Sequence, residues 1–305
     1  MFLCLCWFWL VGSDRMAVTF DDLPGVGLNL ENPEYLSILE GIETHLKKAG
    51  IPSIGFVNEG KLAVDGQYQA ERLQALRGWA EAGFLLGNHT KSHISLNRTP
   101  AGVYITDILE GEKSIEILMA HTGQTQRYFR HPFLHTGRDE LVRNAVNSFL
   151  DLRHYTVAPV TIDNGEWIYA RAYDSALAKG DMDQAKRIVE DYLAYMIRKV
   201  HYFEQQSQIL FDRNMDHILL LHANRLNRDH VGSLLQRISD LGYSFISLDE
   251  ALQDPAYQTP DGYFGPAGIT WLHRWALGQG HKEKILADEP QVSQFVLDLA
   301  GVDGE

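Results

Sequence analysis

Between residues 14 and 254 the chain alternates two kinds of hydrophobic pattern. Short apolar runs, Met16–Phe20, Ser53–Val57, Phe84–Leu86, Arg127–Phe129, His154–Val157, His217–Leu221 and Ser244–Ile246, have the length and residue types of strands. Between them lie segments whose apolar residues recur three and four apart, which predicts helices over Pro33–Ala49, Gln69–Ala82, Gly102–His121, Asp139–Leu150, Asp181–Gln206 and Asp229–Leu241. In the fifth of these, Met182, Ala185, Val189, Tyr192, Met196, Val200 and Phe203 form one stripe, expected to be buried. Strand and helix in alternation predict an α/β fold with about seven parallel strands, a barrel-like number.

The two ends of the chain depart from this pattern. Residues 1–13 hold an apolar run, Met1–Val11, too short to span a bilayer but fitting the core of an export signal, although no basic residue precedes it and Gly12-Ser13-Asp14-Arg15 is a poor cleavage site. It predicts an exported protein with no stable transmembrane anchor. Residues 255–305 form an extension rich in Gly, Pro and aromatics, in which Trp271 and Trp275 either anchor the segment to the barrel or offer rings to a sugar. Hydrophobic residues make up 45% of the 305 and charged ones 22%, which supports one large globular domain with an appended tail. The net charge of −13 argues against nucleic acid as a partner. Both cysteines, Cys4 and Cys6, precede the body of the chain, so metal chemistry there must use His and carboxylates.

Polar clusters follow the apolar runs, where α/β barrels carry their active sites. Asp21 and Asp22 end the first run; in extended backbone they point opposite ways, so one can hold a metal while the other addresses a separate atom. His89 and His93 follow the third run, and a helical turn there would put both rings on one face. One carboxylate and two imidazoles leave coordination positions open, as a catalytic site requires, so Asp22, His89 and His93 make a coherent metal triad.

The motif Thr19-Phe20-Asp21-Asp22, followed by His89-Thr90 and His93, resembles the first two motifs of the polysaccharide deacetylase (NodB-homology, carbohydrate esterase family 4) family. Arg130-His131-Pro132-Phe133, Asp163-Asn164-Gly165-Glu166-Trp167 and Leu219-Leu220-Leu221-His222 resemble the remaining three, in order. Leu23, Phe133 and Glu166 depart from the residues common in the family. The resemblance implies a distorted (β/α) barrel, with Asp21 as general base, Asp22, His89 and His93 as metal ligands and His222 as general acid. It further implies that Arg130 pairs with Asp21, that Asp163 holds the His222 ring and Trp167 packs on it, that the Phe133 N–H faces the oxyanion, and that Phe133, Trp167 and Leu221 touch substrate. The expected cofactor is one divalent ion, zinc by ligand type, with Co2+, Mn2+ or Ni2+ also suited. The expected substrate is an acetylated carbohydrate, with N-acetyl hydrolysis on peptidoglycan or chitin-like chains as the first reading. An O-acetyl esterase on xylan-like chains, a small-molecule amide or formamide hydrolase, and a non-catalytic carbohydrate-binding relative are the alternatives. His131 and His135 are candidates to line the cleft.

Overall fold

The computed structural model describes residues 14–281 and 287–305, so the apolar run at the start of the chain lies outside the described residues. Seven parallel strands form one curled sheet: β1 (Arg15–Leu23), β2 (Ser53–Val57), β5 (Leu85–Asn88), β6 (Arg127–Phe129), β7 (Tyr155–Val157), β8 (His217–His222) and β9 (Ser244–Ile246). A small antiparallel ribbon, β3 (Ala63–Val64) with β4 (Gln67–Tyr68), stands apart. The sheet runs β7-β6-β5-β2-β1-β8, and β9 pairs with the start of β1 on the side where β2 takes over further along. With helices between the strands, this is the distorted (β/α) barrel of the deacetylase type, its sheet curled into a half-barrel.

Alternation along the strands sorts side chains into two environments. Met16, Val18 and Phe20 of β1 join the main core against the helices, with Trp79, Tyr192 and Phe203. Ala17 instead joins Ile54, Phe56, Tyr128 and Ile218 in a second cluster. Thr19 and Asp21 continue the Ala17 side of β1, so that cluster sits directly beneath the strand ends where the polar residues gather.

All seven strand segments read from the pattern are present. Three of the differences among the helices are informative. The stripe on Met182–Phe211 starts at Ala185, because Met182 in the first turn is 62% exposed. The expected single helix over Gly102–His121 is two, Ala101–Glu110 and Lys113–Thr122. At the break Gly111 packs so closely on the end of β5 that a Cβ would lie 2.7 Å from Asn88 Oδ1 and 3.0 Å from the Thr90 carbonyl carbon. Buried Glu112 beside it takes Arg127, Arg153 and the Tyr155 hydroxyl. The third difference is an additional helix, Glu166–Ala178, whose Ile168, Ala172, Tyr173 and Ala176 are buried at helical spacing.

The C-terminal extension belongs to the same core: Trp271, Leu272, Trp275, Val296 and Leu297 all lie in the main cluster. Trp271 and Trp275 are therefore anchors and not a platform for a sugar. No helix among the described residues is long and apolar enough to cross a membrane.

Replacing Gly111 by Val is expected to cost about 1–3 kcal/mol, since the new side chain meets backbone that cannot yield. Thermal unfolding followed by circular dichroism should show a midpoint several degrees below the parent; an unchanged midpoint would mean that the close packing on Asn88 is not a constraint.

Candidate active site

β1 and β8 pair in register up to Asp21 and His222. One residue further, Asp22 takes φ 69°, a left-handed conformation that breaks the strand's alternation. The two adjacent carboxylates therefore converge instead of diverging: Asp21 Oδ2 is 3.6 Å and Asp22 Oδ1 3.9 Å from His89 Nε2. His93 Nε2 lies 3.5 Å from the same Asp22 oxygen. The ligand atoms of Asp22, His89 and His93 all lie within 4.8 Å of one another.

The two imidazoles do not meet on a helix face. Residues 89–93 are an irregular loop in which Thr90 and His93 both have positive φ, and the rings pack edge to face with centroids 4.9 Å apart. Asn88 holds this loop from below, accepting from the Thr90 N–H and donating to Ile108 O. His89 Nδ1 donates to the Arg130 carbonyl at 2.8 Å, which leaves Nε2 as the bare nitrogen facing Asp22. Burial pushes both rings down to about 4, so they are neutral and free to ligate at physiological pH.

Asp22 Oδ1 is buried and has no hydrogen-bond partner among the described residues. An ionised oxygen in that state is costly unless a cation meets it, and burial of Asp22 is outweighed by Lys61 and the three nearby histidines, which hold its carboxyl well below the usual range. A divalent ion held by one carboxylate and two neutral imidazoles fits this donor set.

Asp21 is paired on its other oxygen with Arg130, whose Nη1 donates at 2.9 Å. Arg130 is wholly buried, and the same nitrogen donates to Thr19 Oγ1 at 2.6 Å. Burial raises the Asp21 carboxyl, with the guanidinium opposing.

His222 is where sequence reading and structure part. Its Nδ1 bonds Glu166 Oε2 at 2.8 Å, and no hydrogen bond joins it to Asp163 among the described residues. Asp163 folds back to accept from the next backbone N–H, and burial lifts its carboxyl to about 6. The reason is reach: after Ile162 bridges to Leu219 the chain turns into the helix Glu166–Ala178, and the first residue of that helix faces His222. Glu166 is completely buried, its second oxygen held by the Asn224 and Asn227 amides. Burial alone would lower the His222 ring, but Glu166 and the two aspartates outweigh it and raise it to about 9.

Three other expectations need correction or refinement. Trp167 is 43% exposed and makes no ring contact with His222 among the described residues. Leu221 is fully buried in the core, out of reach of a substrate. His131 is buried with Nδ1 on the Tyr104 hydroxyl, whereas His135 lies beside the exposed Phe133 ring. Phe133 is 53% exposed, with φ 57° and its ring against His93, centroids 4.4 Å apart. The extension braces this loop. Arg274 donates to the Leu134 carbonyl and to Thr136 Oγ1, and Gly268 approaches so closely that a Cβ would lie 1.7 Å from the Phe133 carbonyl oxygen. A separate groove of about 1070 Å³, lined by Leu36, Glu43, Arg77 and Ile117, contributes none of these residues.

Fold and cluster together define an α/β deacetylase-type barrel with, at its strand ends, a group of side chains that could hold a metal ion. Residues 11–149 match the polysaccharide deacetylase family model, a span that holds β1, Asp21, Asp22, His89, His93 and Arg130. No curated protein matches the chain. Among solved structures, a mutant of a CE4 family pseudoenzyme with restored enzymatic activity, from Bacillus anthracis, is 16% identical, with a TM-score of 0.51 over 79% of this chain and 68% of that one. A second mutant of the same pseudoenzyme gives 14% identity and the same score and coverage. A peptidoglycan deacetylase from Bacillus subtilis is 19% identical over 78% of this chain and 91% of its own, with a TM-score of 0.47. At these identities the likeness is one of fold.

Because the folded His222 ring titrates near 9, above its ordinary 6.5, its pairing with Glu166 stabilises the metal-free protein fully below about pH 6.5 and is lost as pH rises through 9. Glu166→Gln should therefore be less stable than the parent at pH 6, by on the order of 3 kcal/mol at most, with the gap narrowing above pH 9. Urea unfolding across pH measures this; a gap that does not change with pH would remove Glu166 as the partner.

Proposed function

We propose that the chain is a metal-dependent deacetylase that hydrolyses N-acetyl groups of N-acetylglucosamine units in a peptidoglycan or chitin-like polysaccharide, releasing acetate. The observation that carries this reading is the buried, unpartnered Asp22 Oδ1 facing two neutral imidazoles, with an ionisable base on one side and a protonated imidazole on the other. A divalent ion held there, zinc by ligand type, supplies Lewis acidity towards the acetyl carbonyl and the attacking water.

The remaining chemistry belongs to side chains. Asp21, oriented by Arg130 and with its carboxyl raised by burial, takes the proton of the water. His222, kept protonated by Glu166, returns a proton to the leaving nitrogen, which cannot depart as an anion. That stored proton favours an amide over an ester substrate, because an alkoxide leaving group needs it less. The exposed Phe133 ring, packed against His93, offers a flat apolar face to a sugar beside the site. The acidic net charge suits a neutral or cationic glycan.

Acetate release from chitin, peptidoglycan and xylan oligomers tests the reading, with N-acetylated glycans expected to react and a response confined to xylan or to small cyclic amides counting against it. Asp21→Asn should keep its zinc while turnover falls by about 10²–10⁴, and Asp22→Ala should lose both. Full turnover in Asp21→Asn would remove the general-base assignment.

A further inference from the structure

Lys61 lies in a single helical turn, Glu59–Leu62, that follows β2. Hydrogen bonds fix this turn to the site from several sides. The Gly60 N–H donates to the Lys91 carbonyl at 2.9 Å, and Asn58 Nδ2 donates to the His89 carbonyl at 2.7 Å. Arg72 donates to the Lys61 carbonyl at 2.7 Å, and buried Glu59 accepts from the hydroxyls of Ser114 and Tyr68. A Cβ on Gly60 would lie 2.7 Å from the Lys91 carbonyl oxygen, so the approach requires glycine. The turn is thus docked onto the segment that carries both imidazoles.

The consequence is a cation beside a metal-ligand carboxylate. Lys61 Nζ is 3.2 Å from Asp22 Oδ2 and 3.4 Å from the Asp22 carbonyl oxygen. The two oxygens of Asp22 therefore have different neighbours: Oδ2 meets the ammonium, while Oδ1 faces the two imidazoles and has no hydrogen-bond partner among the described residues. An exposed Lys–carboxylate pair normally contributes little. Here the carboxylate has another task, and a positive charge fixed this close repels a second cation and draws electron density from its donor.

We propose that Lys61 tunes the metal site: by holding Oδ2 it confines Asp22 to one-point ligation through Oδ1 and offsets part of its charge, so that the ion is bound less tightly than Asp22, His89 and His93 would bind it unaided. The inference rests on the metal-site part of the proposed function. It makes Lys61 a positioning residue, acting through Asp22, and it gives a purpose to the docked turn that the motif residues alone leave unexplained.

Zinc affinity measured against a competing chromophoric chelator, on the full chain stripped of metal, tests it. Lys61→Met keeps the apolar stem and removes the charge; with the repulsion between ammonium and ion gone, it should bind zinc about tenfold or more tightly than the parent. Lys61→Arg, which keeps the charge, should stay close to the parent. Parent-like or weaker zinc binding by Lys61→Met would overturn the proposal, and Lys61→Gln gives the same comparison should the Met variant fail to fold. A parent that binds zinc yet releases no acetate from any glycan would count against the hydrolase reading alone, because zinc affinity does not depend on turnover.

Discussion

A guanidinium with no solvent contact must be paired, and Arg130 is paired in a way that ties the whole site together. Its Nη1 reaches Asp21 and Thr19 on β1, its face lies over the Phe56 ring of β2, and its own carbonyl orients His89 beyond β5. One residue thus pairs and orients the proposed base and fixes the tautomer of a proposed ligand. Breaking a buried pair of this kind leaves an uncompensated charge that costs about 3–5 kcal/mol. That cost ties assembly of the site to folding of the barrel.

Around this hub the chain repeatedly adopts conformations that residues with a Cβ disfavour. Asp22, Thr90, His93, Phe133 and Leu134 all have positive φ, and all lie in or beside the cluster. Such strain persists only where the surroundings over-determine the backbone. The surroundings are visible here: Asn88 beneath the histidine loop, the docked turn of Lys61 beside it, and the C-terminal extension clamped by Arg274 and Gly268 over Phe133. The extension is thereby part of the site's support.

The strand segments and the five polar clusters were legible because each obeys a local rule: a strand-length apolar run, then a polar cluster where parallel strands end. The metal triad was legible for the same reason. What could not be read was geometry set by tertiary contact. Periodicity predicted diverging aspartates and a helical His89–His93 turn, whereas left-handed backbone at Asp22, Thr90 and His93 brings the same side chains together by another route. Glu166 was noted only as a departure from the family pattern, and its role depends on a helix start that the motif concealed, although Ile168, Ala172 and Tyr173 carried the periodic signal. Lys61 has no motif of its own. Its proximity to Asp22 arises from a turn anchored through Asn58 and Gly60, a long-range arrangement that no local pattern records.

The central claim is that one divalent ion sits between Asp22, His89 and His93. Crystals grown with zinc and measured across the zinc absorption edge would locate it directly. The predicted result is a single strong anomalous peak bonded to Asp22 Oδ1 and to Nε2 of both histidines, with Asp21 and His222 on either side. A peak elsewhere, or zinc bound by the histidines without Asp22, would contradict it.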